Sequence, residues 1–400
     1  MAGADRRPLE GIRVADFTRI LAGPHATMLL ADLGADIVKF EETRVGDGTR
    51  RNPPIIEGES LYFQACNRGK KSVAVDLKSD RGRALALEVV EQSDIVIENF
   101  RPGVMDRLGL SYDVLKARRP GIIMCSISGY GQEGPMARKP SFDLVSQAVS
   151  GLLSLTGEPG RHPVRCGVAV GDLGVGTFSA VAVLAALHRR AVTGEGAWID
   201  MSLHDCLLAL MTQQGHQALA GAPQPSLTGS SVPGSVPSGA FEATDGWITL
   251  EARTDQQWIA LAKALGPEAL EWTSSCTNQD DRDAHADALQ NVTRSAIATN
   301  SVDHWVRTLT SAGVPVAPVW SMDQVLDSTL ARDRSMVVEL EHPTLGQVRT
   351  IGSVVKANDQ TWAAQEAAPL LGQHSHEVLR EIVGLTDAEI ENLKAEKVVR

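Results

Sequence analysis

The chain has 400 residues, more than one ordinary hydrophobic core of ~100 to 200 residues, so we expect two lobes or one large α/β body with an appended part. Hydrophobic residues make up 43% and charged residues 22%, a balance that excludes wholesale disorder. The 38 basic and 49 acidic residues give a net charge of -11. This charge argues against a nucleic-acid partner, because phosphate backbones are bound by clusters of Lys and Arg.

The sequence shows no pattern typical of a membrane helix, a secretion signal or a metal site. The longest nearly apolar stretch, 178–187, is far shorter than the ~20 residues of a spanning helix, and residues 1–10 are polar. Five scattered cysteines form no C-x-x-C pair, and the histidines form no ligand pattern with the acids. We therefore expect a cytoplasmic protein with no membrane partner, no disulfides and no metal.

The first 130 residues alternate between two hydrophobic periodicities. Helical patterns at 26–33 and 82–90 separate short β-branched runs, which predict strands at 12–15, 36–40, 72–75, 94–97 and 122–127. Strands that alternate with helices imply parallel crossovers, and hence an open α/β sheet with helices on both faces. Ligands of such folds bind outside the carboxyl ends of the strands.

The rest of the chain contains one clear linker. A helix at 177–190, a strand at 198–201 and a helix at 205–220 precede the Pro- and Gly-rich segment 221–239, where we place a domain boundary. Beyond it the patterns predict a hairpin at 239–250, helices at 256–265, 281–299 and 302–312, strands within 336–352 and a helical end from 376.

Three segments contain residues that could carry chemistry. Asp172 lies among four glycines just ahead of a predicted helix, where a bulky ligand could approach the backbone; the alternative is that it only caps the helix. Arg19 and Asn99 each follow a predicted strand, where an anion could bind. The alternatives are that Arg19 lies on a solvated loop, which is the commoner case, and that Asn99 belongs to a local turn. The pair Lys70-Lys71 has the pattern of a solvated charge run.

In their order along the chain, these segments resemble the family III CoA-transferases. The resemblance begins with Pro-Leu-Glu-Gly-Ile-Arg-Val at 8–14 and continues at 19–24, 33–41, 67–72, 98–103, 129–135, 142–143, 147–151, 171–172 and 369–374. It implies a Rossmann-like large domain with a parallel sheet built from both chain ends, 1–221 and 331–400. A smaller α+β domain, 222–330, would be inserted after the linker, and two subunits would interlock as a homodimer.

The resemblance also implies roles for individual residues. The catalytic aspartate of the family falls on Asp172, and a second active-site acid falls on Asp143. A glycine-rich lid corresponds loosely to 229–234. The positions that contact CoA fall on Arg19, Ile20, Leu21, Ala22, Val75, Lys78, Asn99, Phe100, Arg107 and Leu108.

The implied chemistry moves CoA between carboxylic acids without ATP, a metal or a tightly bound cofactor. Asp172 would attack the thioester carbonyl of an acyl-CoA, and the freed thiolate would convert the resulting anhydride into an aspartyl-CoA thioester. Backbone N–H groups at the glycines could stabilise the oxyanions. Two alternatives are a racemase of the same fold and a non-catalytic CoA-binding subunit. The racemase is disfavoured because racemases of this type place a His-Asp pair where this chain has Phe142-Asp143. The CoA-binding subunit is disfavoured because binding alone needs no nucleophile.

For the substrate we expect a dicarboxylic acyl group, with succinyl-CoA as donor and a C4 to C6 dicarboxylate as acceptor. Segments 8–24, 129–135, 163–165 and 341–344 look most like the succinyl-CoA:glutarate and citramalate branch of the family. A guanidinium from Arg50, Arg51 or Arg165 could bind the distal carboxylate, and Tyr62 could add a hydroxyl near the acyl group. Each arginine could instead face solvent or pair with one of the many acids.

Overall fold

The computed structural model describes residues 7–223, 226–358 and 360–400. Six residues of the polar segment 1–10 and two of the linker 221–239 therefore lie outside the described residues. The chain forms two compact units: a large unit of Met1–Leu152, Cys166–His216 and Thr329–Arg400, and a small unit of Leu153–Arg165 and Gln217–Ser328. This division differs from the predicted boundaries in that residues 153–165 belong to the small unit, where the Gly229 amide donates to the Gly157 carbonyl.

The strands are β1 (Arg13–Asp16), β2 (Asp36–Glu41), β3 (Ile55–Ile56), β4 (Glu59–Ser60), β5 (Lys70–Ala74), β6 (Ile95–Glu98), β7 (Ile123–Ser128), β8 (Ala197–Ser202), β9 (Ser238–Ala243), β10 (Gly246–Glu251), β11 (Val316–Pro318), β12 (Val337–His342), β13 (Gly346–Ile351), β14 (Lys356–Ala357) and β15 (Gln360–Thr361). The α-helices are α1 (Ala22–Asp32), α2 (Leu61–Asn67), α3 (Asp80–Glu91), α4 (Val104–Arg107), α5 (Tyr112–Arg118), α6 (Asp143–Val149), α7 (Leu152–Leu155), α8 (Val170–Thr193), α9 (Leu203–Leu210), α10 (Thr212–Leu219), α11 (Asp255–Leu265), α12 (Pro267–Glu271), α13 (Gln279–Ala284), α14 (Ala286–Ile297), α15 (Val302–Ser311), α16 (Met322–Leu326), α17 (Thr329–Asp333), α18 (Ser375–Val378) and α19 (Asp387–Ala395).

The large unit is built on a six-stranded parallel sheet in the order β5-β2-β1-β6-β7-β8, which confirms the predicted α/β class. The large unit includes residues from both chain ends, but its sheet does not, because all six strands come from residues 13–202. The C-terminal segment adds only a bridge between Val399 and Val75. Its helices cover the sheet instead, where Leu379, Ile390 and Leu393 join a buried hydrophobic cluster.

Side chains alternate between two buried faces of this sheet, as the strand period of two requires. Ala15 and Val38 face one cluster together with α3 and the C-terminal helices. Val14 and Ile37 face the other cluster together with α1 and α8. Since both faces are covered, the strands read as nearly continuous apolar runs, which is why the sequence reveals them.

Helix α8 is longer than the predicted 177–190 and begins at Val170, so three of the four glycines (Gly171, Gly174 and Gly176) lie inside its first turns rather than ahead of it. Gly176 lets α8 pack tightly on α1, because a Cβ there would lie 2.6 Å from the Ala22 carbonyl oxygen. By length and composition alone, α8 is the one helix among the described residues that could cross a membrane, and 39% of its most apolar window is buried. A core helix passes the same test, and Val175 and Val183 of α8 are fully buried in the sheet unit.

The small unit contains the antiparallel sheet β11-β10-β9. Its core includes Trp258, Leu261, Leu289 and Leu309 from helices α11, α14 and α15. The segment 229–234 is attached to the start of β9, since the Val232 amide donates to the Ser238 hydroxyl (2.9 Å).

Candidate active site

Asp172 lies in the first turn of α8 and does not cap the helix. The residue at the N-cap position is Ala169, which has no side-chain acceptor. Within the described chain, the Asp172 carboxylate accepts no hydrogen bond, whereas the Asp172 backbone N–H donates to Asp143. The alternative of a capping role for Asp172 is therefore wrong, and its carboxylate remains available to a substrate.

The side chain that caps α8 is Asp143, which lies 29 residues before Asp172 in the chain. Its Oδ1 accepts hydrogen bonds from the backbone N–H groups of Gly171 (2.7 Å) and Asp172 (3.4 Å), which have no partner within the helix. Its Oδ2 accepts one from Gln147 Nε2 (2.6 Å). Gln147 is buried, and its Oε1 accepts from the Cys166 backbone N–H (3.0 Å), which fixes the orientation of the amide.

Glycine at position 171 leaves room for Asp143. A Cβ there would lie 2.9 Å from Asp143 Oδ1 and 3.1 Å from a Leu207 methyl group, so both side chains would have to shift. The glycine therefore lets Asp143 reach the start of the helix. The same contact contradicts the expectation that N–H groups at these glycines stabilise an oxyanion, because the Gly171 and Asp172 amides already donate to Asp143.

Burial, and next the charge of Asp143, raise the pKa of Asp172 from 3.8 to about 7. Among the described residues no counter-charge offsets these two effects, so a substantial fraction of the group is ionised at neutral pH. Tyr62 belongs to the same neighbourhood. Burial raises its pKa to about 12, with further contributions from Cys66, Asp172, Asp47 and Asp143. Tyr62 therefore keeps its proton and can donate a hydrogen bond.

The structure brings four of the predicted CoA contacts together at the carboxyl ends of β1 and β6. Arg19 and Asn99 form two reciprocal hydrogen bonds of 2.7 Å between the backbone of Arg19 and the Asn99 amide group. The Arg19 guanidinium lies 5.0 Å from the centre of the Phe100 ring, a cation–π distance. Ile20 follows on the same loop, partly exposed.

The other predicted contacts differ in how accessible they are. Leu21 and Ala22 form the start of α1, and Ala22 is buried. The Val75 side chain lies in the core, so only its backbone can face a ligand. Lys78 is exposed. Arg107 and Leu108 end helix α4, where Leu108 packs against the core.

The predicted substrate arginines lie in three different environments. Arg50 is a poor candidate, because its guanidinium forms a two-pronged ion pair with Glu41 (both contacts 2.7 Å) and stacks on Phe63. Arg51 is exposed, and no partner is found for its side chain within the described residues. Arg165 belongs to the small unit.

The sequence patterns missed a group of buried charges beside the loop that carries Arg19. Lys70, predicted to be solvated, is buried and contacts Asp16 Oδ2 at 3.2 Å. Burial lowers its pKa to about 8, against the opposing effect of Asp16. Lys39 forms a second buried pair with Asp47. The position of these lysines in the sequence could have indicated their burial, because each lies in a strand that is covered on both faces.

No three His, Cys, Asp or Glu side chains among the described residues are arranged to hold a metal ion. Fold and site together define an open parallel α/β protein with a desolvated carboxylate in the first turn of a helix, at the carboxyl edge of the sheet. Such a carboxylate suits covalent catalysis of acyl transfer.

The chain belongs to CoA-transferase family III, whose sequence profile matches residues 9–375. This confirms the predicted family and enzyme class, and CoA thioesters are the substrates of this class. The chain is 36% identical over 395 residues to the mouse (Mus musculus) succinyl-CoA:glutarate CoA-transferase, covering 98% of this chain and 90% of that protein. It is 36% identical over 386 residues to the succinyl-CoA:mesaconate CoA-transferase of Haloarcula marismortui, covering 93% and 96%.

A solved structure shows the same fold. The crystal structure of a CaiB/BaiF family protein from Brucella suis has a TM-score of 0.86 and 34% sequence identity, covering 94% of this chain and all of that one.

Proposed function

We propose that this enzyme moves CoA from succinyl-CoA to a C4 to C6 dicarboxylic acid through an aspartyl-CoA thioester on Asp172. The observation that carries the proposal is the Asp172 carboxylate, which is desolvated, has a raised pKa and accepts no hydrogen bond in the described chain. The names of the relatives above support the substrate class, because both pair succinyl-CoA with a dicarboxylate.

In the proposed reaction, ionised Asp172 attacks the thioester carbonyl of succinyl-CoA, and the CoA thiolate leaves. The thiolate then attacks the Asp172 carbonyl of the mixed anhydride, which releases succinate and forms the aspartyl thioester. The acceptor carboxylate attacks this thioester, the thiolate leaves again, and its attack on the acceptor carbonyl regenerates Asp172. Tyr62, which stays protonated, would donate a hydrogen bond to an oxyanion or to the acyl group.

The proposal disfavours a racemase. Phe142 occupies the position before Asp143 and is 72% exposed, and a phenyl ring cannot remove a proton. A non-catalytic CoA-binding subunit is disfavoured because binding does not need an ionisable carboxylate held without partners in a costly environment.

We further propose that the enzyme is an interlocked homodimer that acts in the cytoplasm. Helices α6, α8 and α9 contact one another and expose Val145, Val149, Val181, Val192 and Leu208. An apolar surface of this extent on a charged protein supports a second copy as its cover. Mixing tagged and untagged protein tests the interlocking, because threaded subunits exchange slowly and rapid formation of mixed dimers would contradict it.

Trapping the intermediate tests the chemistry. The enzyme is incubated with succinyl-CoA alone, treated with hydroxylamine and digested, and the peptide that contains Asp172 is analysed by mass spectrometry. We expect a hydroxamate on Asp172 in the wild type and none in Asp172→Asn. An unmodified Asp172 in an enzyme with full transferase activity would overturn the mechanism.

A further inference from the structure

The loop that carries Arg19 and Ile20 has its backbone held by side chains from outside it. The Thr18 N–H donates to Asp16 Oδ1 (2.8 Å), and the Thr18 carbonyl accepts from Lys39 Nζ (2.7 Å). The Arg19 N–H donates to Asn99 Oδ1, and the Arg19 carbonyl accepts from Asn99 Nδ2. Loops usually leave such groups to solvent, so this loop has a fixed shape.

Ile20 is held in the same way, in a conformation that isoleucine rarely adopts. Its φ of +69° lies in the left-handed region, which is unfavourable for a β-branched residue. Its N–H donates to Asp47 Oδ1 (3.2 Å), and its carbonyl lies 3.8 Å from the Cys66 thiol, a weak donor. Surrounding contacts must therefore impose this conformation, and Asp47 supplies the strongest of them.

Lys39 and Asp47 form a fully buried ion pair whose atoms also hold the loop. Lys39 Nζ lies 3.1 Å from Asp47 Oδ2, while Asp47 Oδ1 holds Ile20 and the Thr49 N–H (2.9 Å). Burial opposes ionisation of both groups. The charges of Asp47, Asp16 and Glu41 nevertheless raise the pKa of Lys39, and the charge of Lys39 and the donors on Thr49 lower the pKa of Asp47. Both members are charged at neutral pH.

A buried ion pair is a poor way to gain stability, because the cost of desolvating two charges offsets most of their attraction. This pair contacts two successive peptide groups of the loop, at the Thr18 carbonyl and at the Ile20 N–H, and so fixes the direction of both. Its geometry suits the positioning of the loop better than the general stability of the fold.

We propose that the Lys39–Asp47 pair is a positioning device that holds Ile20 in its left-handed conformation and so preforms the loop for CoA. The inference rests on the proposed function and on the expectation from the family resemblance that Arg19 to Ala22 contact CoA. Without the pair, the loop relaxes to ordinary conformations. Part of the binding free energy of CoA is then used to order the loop again, which weakens binding. The chemistry at Asp172 is not touched, so the donor KM should change more than kcat.

Two variants break the pair from opposite sides. In Asp47→Asn, the side-chain oxygen can still accept from Ile20, but the amide nitrogen then faces Lys39 as a second donor. Lys39→Met removes the charge and the hydrogen bond to Thr18. We expect either change to raise the KM for succinyl-CoA about tenfold, with kcat within about threefold, and to speed amide hydrogen exchange at residues 19–21.

Asp32→Asn is the matched control. Asp32 forms an equally buried ion pair with Arg68 in the same unit, at the far end of α1, and also accepts from the Ala364 N–H. We expect its loss to lower the melting temperature as much as Asp47→Asn does, while the donor KM stays within twofold and exchange at 19–21 is unchanged.

Equal effects of Asp32→Asn and Asp47→Asn on the donor KM and on amide exchange at residues 19–21 would overturn the positioning role. It would also be overturned if neither Lys39→Met nor Asp47→Asn changed the donor KM or the exchange. Calorimetric titration of the wild type with CoA separates this failure from that of the proposed function. If the wild-type protein does not bind CoA, CoA is not its ligand and the proposed function fails. Amide hydrogen exchange at residues 19–21 still shows whether the Lys39–Asp47 pair holds the loop.

Discussion

The raised pKa of Asp172 predicts that the candidate nucleophile weakens the fold at neutral and alkaline pH. In the folded protein the pKa is about 7, against an ordinary value of 3.8, so between these values the folded state keeps a proton that the unfolded state has lost. The contribution of this group to stability therefore falls as pH rises from about 4 to 7 and stays low above. Asp172→Asn removes the titration, so its stabilising effect should grow across that range and be complete above it.

The magnitude follows from the size of the shift. About three pKa units correspond to at most about 4 kcal/mol at 1.36 kcal/mol per unit. Water reaches a partly exposed carboxylate, so we expect about half of this, about 2 kcal/mol. For a large domain this raises the melting temperature by about 4 °C.

Thermal unfolding of both proteins at pH 4.5 and pH 8 provides the measurement. We expect Asp172→Asn to melt about 4 °C higher than the wild type at pH 8 and within about 1 °C of it at pH 4.5. Asp113→Asn is the control, since Asp113 is also an acid in the first turn of a helix, α5, but is exposed. A difference for Asp172→Asn that is the same at both pH values, or a lower melting temperature at pH 8, would refute the reasoning.

Three further results are expected. Because Asp172 must be ionised to attack, kcat/KM for the donor should rise with pH to a plateau with an inflection near 7, and an inflection below 5 would contradict this. Gln147→Ala leaves one oxygen of Asp143 without its donor and should lower kcat about 10- to 100-fold with an unchanged circular dichroism spectrum; full activity would remove Gln147 from the site. A site for a distal carboxylate should prefer succinyl-CoA over butyryl-CoA about tenfold or more, and Arg51→Ala should reduce that ratio if Arg51 binds the carboxylate.

The fold could be predicted from sequence because strands that are covered on both faces consist of nearly continuous runs of apolar residues. Asp172 could be singled out for a different reason, since a carboxylate among glycines is unusual at the start of a helix. The same reasoning misplaced the glycines in a loop. Local patterns cannot show that Gly171 and Gly176 make room for Asp143 and for the Ala22 carbonyl, because both neighbours come from distant parts of the chain.

Charged residues in the strands were the hardest to interpret from sequence. In β2, Lys39 and Glu41 share a face with Ile37, and a polar residue in such a pattern ordinarily suggests solvent. Here both are buried because their partners arrive from other segments: Asp47 for Lys39, and Arg50 for Glu41. Arg50 could not be excluded as a substrate ligand without knowing that Glu41 already occupies it.

The site holds two carboxylates, and their surroundings assign them different tasks. Asp143 accepts three N–H donors, two at the start of α8 and one from Gln147, so its charge is stabilised and its lone pairs are engaged. Such a carboxylate is a weak nucleophile, but its hydrogen bonds hold the start of α8 in a fixed position. Asp172 accepts none in the described chain, and the fixed charge of Asp143 beside it raises its pKa further. From this contrast we propose that Asp172 is the group that attacks and that Asp143 is the group that holds it in place and keeps it reactive.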